Sequence, residues 1–99
     1  MVNEKLEKMV KSILDEIARD PYKVIENSLD VVLEVGTNPM CELRGWRIYV
    51  TLGGPTIYIT PTAVVGVWGG ERVEYPLPTE VSNALWVAVE QMFPLPVNS

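Results

Sequence analysis

Three side chains that could bind a partner share one face of a predicted β-hairpin. Arg47 and Tyr49 alternate with apolar residues in one β-rich run, and Tyr58 has the same phase in the next run. Side chains two apart on a strand point to the same face, so pairing of the runs brings the three together. We expect Arg72 to join them from a later run, with Trp68 near the hairpin end. Aromatic residues beside arginines on a sheet stack bases in many proteins that bind single-stranded RNA.

Two other interpretations of this candidate binding face stay open. Tyrosine and threonine are favoured in strands, where they pair across a half-exposed face without any binding role. Tyr, Trp and Arg also supply most of the binding energy in many protein–protein interfaces. The chain has a net charge of -5, which disfavours a polyanion such as nucleic acid. We therefore predict a non-enzymatic interaction protein, with single-stranded nucleic-acid binding as the alternative.

The residue types argue against the common catalytic and metal sites. The chain has no histidine and one cysteine, Cys41, which excludes His-based nucleophile systems, a zinc site and a disulfide within the chain. Cys41 lacks a neighbouring cation and is expected to be an inert thiol. Glu71 and Glu74 are three apart on a predicted strand and should point to opposite faces. We expect no catalytic residue, metal or cofactor, and a small enzyme of unknown class remains an alternative.

The distribution of apolar residues predicts a cytoplasmic protein with no membrane partner. Charged residues interrupt the start of the chain, unlike the apolar core of a signal peptide. No run approaches the roughly 20 apolar residues that a membrane-spanning helix requires.

Two helices are predicted before the β-rich segment and one after it. The first covers about residues 3–19, with Asn3 as its N-cap. The second covers about 21–27 and begins at Asp20-Pro21, a strong helix-start signal. The third covers about 79–92, with Thr79 as its N-cap. The first helix has an apolar stripe at three- and four-residue steps, formed by Leu6, Met9, Val10, Ile13, Leu14 and Ile17.

The third helix is apolar on two sides, which suggests that two surfaces cover it. Its predicted sheet-facing stripe consists of Val81, Ala84, Leu85, Ala88, Val89 and Met92. Trp86, Val87 and Phe93 fall outside that stripe. The first helix or a second copy of the chain would cover them, so these three are our candidate dimer contacts. An edge strand is the other predicted route to a homodimer.

Five strands are predicted, at about 31–35, 43–52, 56–60, 63–68 and 71–75. The first run is ambiguous, because it could instead extend the second helix. The pairs Gly53-Gly54 and Gly69-Gly70 are expected to supply positive-φ residues for hairpin turns. The run at 63–68 is expected to be central and covered on both faces, and 71–75 to be an edge strand. The fold class is α+β: one domain with an antiparallel meander of four or five strands and helices mainly on one face.

The motif order resembles that of small uncharacterised proteins of prokaryotic phages and plasmids. The resemblance covers about residues 29–93, and Gly53-Gly54-Pro55 is its most specific part. Thr60-Pro61-Thr62 departs from the pattern, because those proteins have an acidic strand after the Gly-Gly-Pro. The resemblance implies an accessory protein of a mobile element and carries no assigned activity. The other matching motifs are Leu33-Glu34-Val35, Gly45-Trp46 and Tyr49-Val50-Thr51-Leu52.

Overall fold

The computed structural model describes residues 4–36 and 42–94, which form three helices and five strands. The α+β class is confirmed, with two helices before the sheet and one after it, and the ambiguous first run is a strand. The predictions for Asn3 and Cys41 lie outside the described residues. The elements are α1 (Glu4–Arg19), α2 (Pro21–Glu26), β1 (Asp30–Gly36), β2 (Glu42–Thr51), β3 (Thr56–Ile59), β4 (Ala63–Trp68), β5 (Glu71–Pro76) and α3 (Thr79–Met92).

The five strands form an antiparallel meander in the order β1-β2-β3-β4-β5. Each strand therefore pairs with its neighbour in the sequence, and β1 and β5 are the two edges. β2 pairs with β1 from Glu42 to Tyr49, but with β3 only from Ile48 to Thr51. The far half of the β1–β2 hairpin therefore extends beyond the rest of the sheet.

The two glycine pairs make different turns. Gly69 and Gly70 have φ of 58° and 83°, so the predicted tight turn between β4 and β5 is confirmed. Between β2 and β3 the predicted hairpin is confirmed and Gly53 has positive φ, at 99°, but Gly54 does not, so the prediction of positive φ is wrong for Gly54. β2 ends at Thr51, and Leu52 is 54% exposed in the turn instead of continuing the strand.

The core lies between the helices and one face of the sheet. That face supplies Trp46 and Ile48 from β2, Ile57 and Ile59 from β3, and Val64 and Val73 from β4 and β5. α1 approaches β4 most closely at Gly66. A Cβ atom there would lie 2.6 Å from Val10 Cγ2 and 2.9 Å from Leu6 Cδ1. Glycine at this position thus lets the helix pack directly on the strand.

Three local predictions have different outcomes. The Asp20 carboxylate accepts a hydrogen bond from the Lys23 backbone N–H at 3.2 Å, which confirms the start of α2. Pro78 precedes α3 and Thr79 is already helical, so the Thr79 N-cap prediction is wrong. β4 is the second strand from one edge, and Val67 on its far face is 37% exposed. The prediction that β4 is an inner strand is therefore confirmed, whereas the prediction that both of its faces are covered is wrong at Val67.

Candidate binding face

A row of side chains crosses all five strands on the face of the sheet that points away from the helices. We call this the open face. The strand register aligns Asp30, Tyr49, Tyr58, Val65 and Glu74 as successive cross-strand partners. The two tyrosines and the valine are in the middle, and a carboxylate marks each end.

Arg47 joins the two tyrosines in one compact cluster, which we call the tyrosine cluster. The Tyr49 and Tyr58 rings have centroids 5.6 Å apart with an interplanar angle of 44°. Arg47 Nη1 donates a hydrogen bond to Tyr49 Oη at 3.1 Å, and its guanidinium carbon lies 5.4 Å from the Tyr58 ring centroid. The hydrogen bond to Tyr49 raises the pKa of Arg47. The structure thus brings together the three residues with which the sequence prediction began.

The cluster follows directly from the strand pattern. Trp46 and Ile48 are buried in the core, so the residues that alternate with them, Arg47 and Tyr49, must lie on the open face. The register between β2 and β3 then sets Tyr58 directly opposite Tyr49. Both tyrosine rings are half-buried, while Arg47 is exposed. The contacts hold the aromatic surfaces in place and leave part of each accessible to a partner.

Arg72 and Trp68 do not join the tyrosine cluster. Arg72 is on the open face, but its partner on β4 is Val67, and its Nη2 atom lies 2.7 Å from Glu74 Oε1. Trp68 shares the phase of Val64 and packs against the core on the helix side, where Lys5 Nζ is 6.0 Å from its ring centroid. The alternation on β4, once anchored at Val64, excludes Trp68 from the open face.

The candidate dimer contacts on α3 have unequal exposure. Trp86 packs edge-on against the buried Trp46, with ring centroids 5.8 Å apart and an interplanar angle of 74°. Phe93 also packs against the core. Val87 is 51% exposed and is the one with most of its side chain free. Contacts within the chain therefore account for much of the apolar surface that we considered for a dimer.

Val65 is a part of the open face that the sequence prediction missed. Although the three described helices lie on the other side of the sheet, Val65 is only 2% exposed. Its cross-strand partners are Tyr58 and Glu74, whose longer side chains flank it. The sequence feature that could have predicted this arrangement is the Gly69-Gly70 turn. A two-residue turn fixes the β4–β5 register and so sets Glu74 opposite Val65.

A cleft at the other side of the molecule has a mixed lining. It has a volume of about 360 Å³ and lies between α1, α2 and the end of β2. Its charged residues include Glu16, Arg19 and Lys23, and also Asp20, whose carboxylate caps α2. Among the described residues no group of three or more carboxylates or thiols is placed to hold a metal ion. No helix in that part of the chain is long and apolar enough to cross a membrane.

No protein family, curated protein or solved structure matches the chain. The resemblance to phage and plasmid proteins therefore remains a prediction. Function has to be argued from the geometry of the open face.

Proposed function

We propose that this protein is a non-enzymatic protein-interaction module that binds its partner through the open face. The observation that carries the proposal is the tyrosine cluster: two half-buried aromatic rings held by an arginine, on the sheet face opposite the three described helices. Tyrosine and arginine are enriched among the residues that dominate binding energy at protein interfaces. Rings fixed in advance lose little side-chain freedom when a partner binds.

The surroundings of the cluster favour a protein partner with apolar and polar contacts. Val67, which is 37% exposed, continues the surface on β4, and Asp30 and Glu74 close the row of cross-strand partners at its two ends. An apolar centre with a polar rim is the usual composition of a protein interface. The hydroxyl of Thr56, the cross-strand partner of Val67, and the tyrosine hydroxyls supply hydrogen-bonding groups on the same face.

Single-stranded nucleic acid is the second candidate, and the position of Arg47 over the Tyr58 ring favours it. The local charges argue the other way. Arg47 already contacts both tyrosines, and Arg72 is paired with Glu74. The carboxylates of Asp30, Glu34 and Glu74 surround the cluster and would repel phosphates. We therefore favour the protein partner.

A selection from a display library of random peptides tests the proposal. The immobilised protein is expected to select peptides that bind through the tyrosine cluster, so Tyr58→Ala should reduce their binding at least about tenfold, as expected for a hot-spot residue. Tyr22→Ala is the matched control, because Tyr22 is another exposed tyrosine but belongs to α2. Its replacement should leave peptide binding unchanged.

Two results would contradict the proposal. One is a selection that enriches no peptide above background, and the other is equal binding of the selected peptides to Tyr58→Ala and the wild type. A pool of single-stranded oligonucleotides is tested in parallel at low ionic strength. If the protein retains the oligonucleotides in a salt-sensitive way, and Arg47→Ala abolishes that retention, the result would favour nucleic acid as the partner of the open face.

The biological setting rests on the resemblance alone. We propose an accessory role in a prokaryotic mobile element, because Gly53-Gly54-Pro55 and its flanking motifs are similar to those of phage and plasmid proteins. An interaction module with no catalytic group of its own is consistent with such a role.

A further inference from the structure

The outer side of β1 is an exposed strand edge. Among the described residues, β1 pairs with β2 and with no other strand. Its ladder with β2 runs over the whole of Asp30–Gly36, so β1 is extended and regular along its length. The outward N–H and C=O groups of such an edge form a template for another strand.

β1 lacks several of the devices that keep an edge strand from pairing, and its only charges are the carboxylates of Asp30 and Glu34. The β1–β2 ladder contains one register shift. Glu34 pairs with Gly45 and the next residue, Val35, pairs with Leu43. Arg44 is therefore an extra, unpaired residue on β2. β1 itself therefore has no bulge, and its sequence contains no proline or lysine. Val32 is 44% exposed and Val35 is 40% exposed. These are apolar side chains on an edge that stays available.

We propose that β1 pairs antiparallel with β1 of a second copy, across a twofold axis at Leu33, to form a continuous ten-stranded sheet. This inference is independent of the partner proposed for the open face. An antiparallel strand pair of this kind has its twofold axis perpendicular to the sheet. Both sets of helices therefore lie on one side of the combined sheet, and both open faces lie on the other.

The apolar residues of β1 favour a second copy as the occupant. With Leu33 on the axis, Leu33 faces its own copy, and Val31 faces Val35 of the other copy in both directions. All three positions lie on the helix side of the strand, where Val31 and Leu33 are half-buried and Val35 is exposed. The pairing therefore aligns three apolar cross-strand contacts and covers Val35 twice, once in each copy.

The acidic residues of β1 favour a twofold axis at Leu33 over an axis at the residue on either side. An axis at Val32 would set Asp30 opposite Glu34 twice, and an axis at Glu34 would set that carboxylate opposite itself. Like charges directly opposite on paired strands are destabilising. With the axis at Leu33, Val32 faces the second copy's Glu34, and Asp30 faces Gly36. Arg47 is the cross-strand partner of Val32 on β2. The Glu34 of the second copy would therefore lie two strands from Arg47, on the same face of the sheet.

The pairing is expected to be weak. Seven residues of each β1 take part, whereas stable interfaces use roughly 20–30 residues from each partner. We therefore expect a dimer that dissociates on dilution in the range of about 10 µM to about 1 mM.

Sedimentation velocity over that concentration range tests the proposal with three single variants. Val32→Glu adds a carboxylate opposite Glu34 on both sides of the axis and should weaken the dimer about tenfold. Val32→Lys sets an opposite charge at the same two places, so it should keep the dimer or strengthen it at low salt. Val87→Glu alters an exposed valine on α3, far from β1 in the sequence, and should leave the dimer unchanged. Thermal unfolding of each variant checks that it remains folded.

A cysteine cross-link tests the alignment itself, in a Cys41→Ser background with a thiol oxidant. Leu33→Cys should cross-link, because opposed residues of an antiparallel pair have Cα atoms about 4.5–5.5 Å apart, within disulfide range. Val31→Cys is the control and should stay uncross-linked, since its two copies would be about 13 Å apart along the strands. Four results would each overturn the proposal. The wild type could be monomeric at about 1 mM, or Val87→Glu could lose the dimer. Val32→Lys and Val32→Glu could weaken the dimer equally, or Val31→Cys could cross-link in preference to Leu33→Cys.

Discussion

The two edges of the sheet are built in opposite ways. At β5, Tyr75 Oη donates a hydrogen bond to Glu7 Oε1 of α1 at 2.5 Å, and Lys11 Nζ lies 5.6 Å from the Tyr75 ring centroid. The strand also carries charged residues and ends at Pro76, which has no N–H to offer. At β1 the exposed side chains include Val32 and Val35. The same sheet thus has one edge strand that α1 contacts through Tyr75 and that ends at a proline, and one edge strand that pairs with β2 alone among the described residues.

This difference separates stability from association. α1 packs on β4 at Gly66 and on β5 at Tyr75, so the β4–β5 side of the sheet contributes to the core. The far half of the β1–β2 hairpin extends beyond the other strands, and a two-stranded ribbon has little stability by itself. We expect substitutions on the β5 side to change the free energy of unfolding, and substitutions on β1 to change self-association.

The largest expected effect on stability is that of Gly66→Ala. The new methyl group would meet Val10 and Leu6 in the buried core at less than 3 Å. Overpacking of this kind costs about 1–3 kcal/mol in the free energy of unfolding. Urea denaturation monitored by tryptophan fluorescence measures the loss.

Gly45→Ala is the matched control on the β1 side. A Cβ at Gly45 would meet Glu34 Oε2 at 3.1 Å, and that atom ends a long side chain that can move aside. The free energy of unfolding should change by no more than about 0.5 kcal/mol. Equal losses for the two glycine substitutions would contradict the division between the two sides of the sheet.

A smaller effect, dependent on pH, is expected for Tyr75→Phe. The hydrogen bond from Tyr75 lowers the pKa of Glu7, so its contribution to stability is present above the ordinary glutamate pKa and is lost as the pH falls through the lowered one. The same bond raises the pKa of Tyr75, so its contribution is lost again as the pH rises above the ordinary tyrosine range.

Denaturation curves at a series of pH values check this prediction. The wild type should be more stable than Tyr75→Phe at neutral pH, and the difference should shrink in acid as Glu7 becomes protonated in both proteins. A difference that stays constant from neutral to acid pH would show that the hydroxyl acts through packing alone.

The smallest expected effect is that of Glu74→Gln on β5. Its ion pair with Arg72 is short, at 2.7 Å, but both side chains are more than half exposed. Exposed ion pairs contribute only about 0–1 kcal/mol. The free energy of unfolding should therefore hardly change. A loss as large as that of Gly66→Ala would mean that charge pairing, and not the contact with α1, stabilises this edge.

Local patterns in the sequence predicted most of the fold, because they depend on alternation and turn chemistry. The apolar stripe of α1, the Asp20-Pro21 start and the Gly69-Gly70 turn all act over a few residues. The tyrosine cluster follows from the same period of two. Alternatives stayed open where distant elements decide the outcome. Trp86 contacts Trp46 of β2, forty residues earlier, and no spacing rule identifies such a contact.

The position of β4 shows the same limit. Its nearly continuous apolar run predicts a strand covered on both faces, whereas α1 packs on one face, at Gly66, and Val67 on the other face is 37% exposed. Val65 is buried on the other face by its cross-strand neighbours Tyr58 and Glu74. An apolar run therefore predicts that its side chains are buried. The sheet register decides which neighbouring side chains cover them.

The two proposals combine in one geometry. Pairing of β1 would place two tyrosine clusters on the same side of a ten-stranded sheet. A partner with two binding segments could then contact both clusters, which increases the overall affinity without any new contact.

The contrast between the two edges is tested most directly by backbone amide chemical shifts in an NMR dilution series of the wild-type protein. Dilution from about 1 mM to about 10 µM should shift the amide signals of residues 30–36 and leave those of residues 71–75 in place. Signals that stay fixed in residues 30–36 throughout, or that move in 71–75 instead, would contradict the assignment of β1 as the edge that pairs.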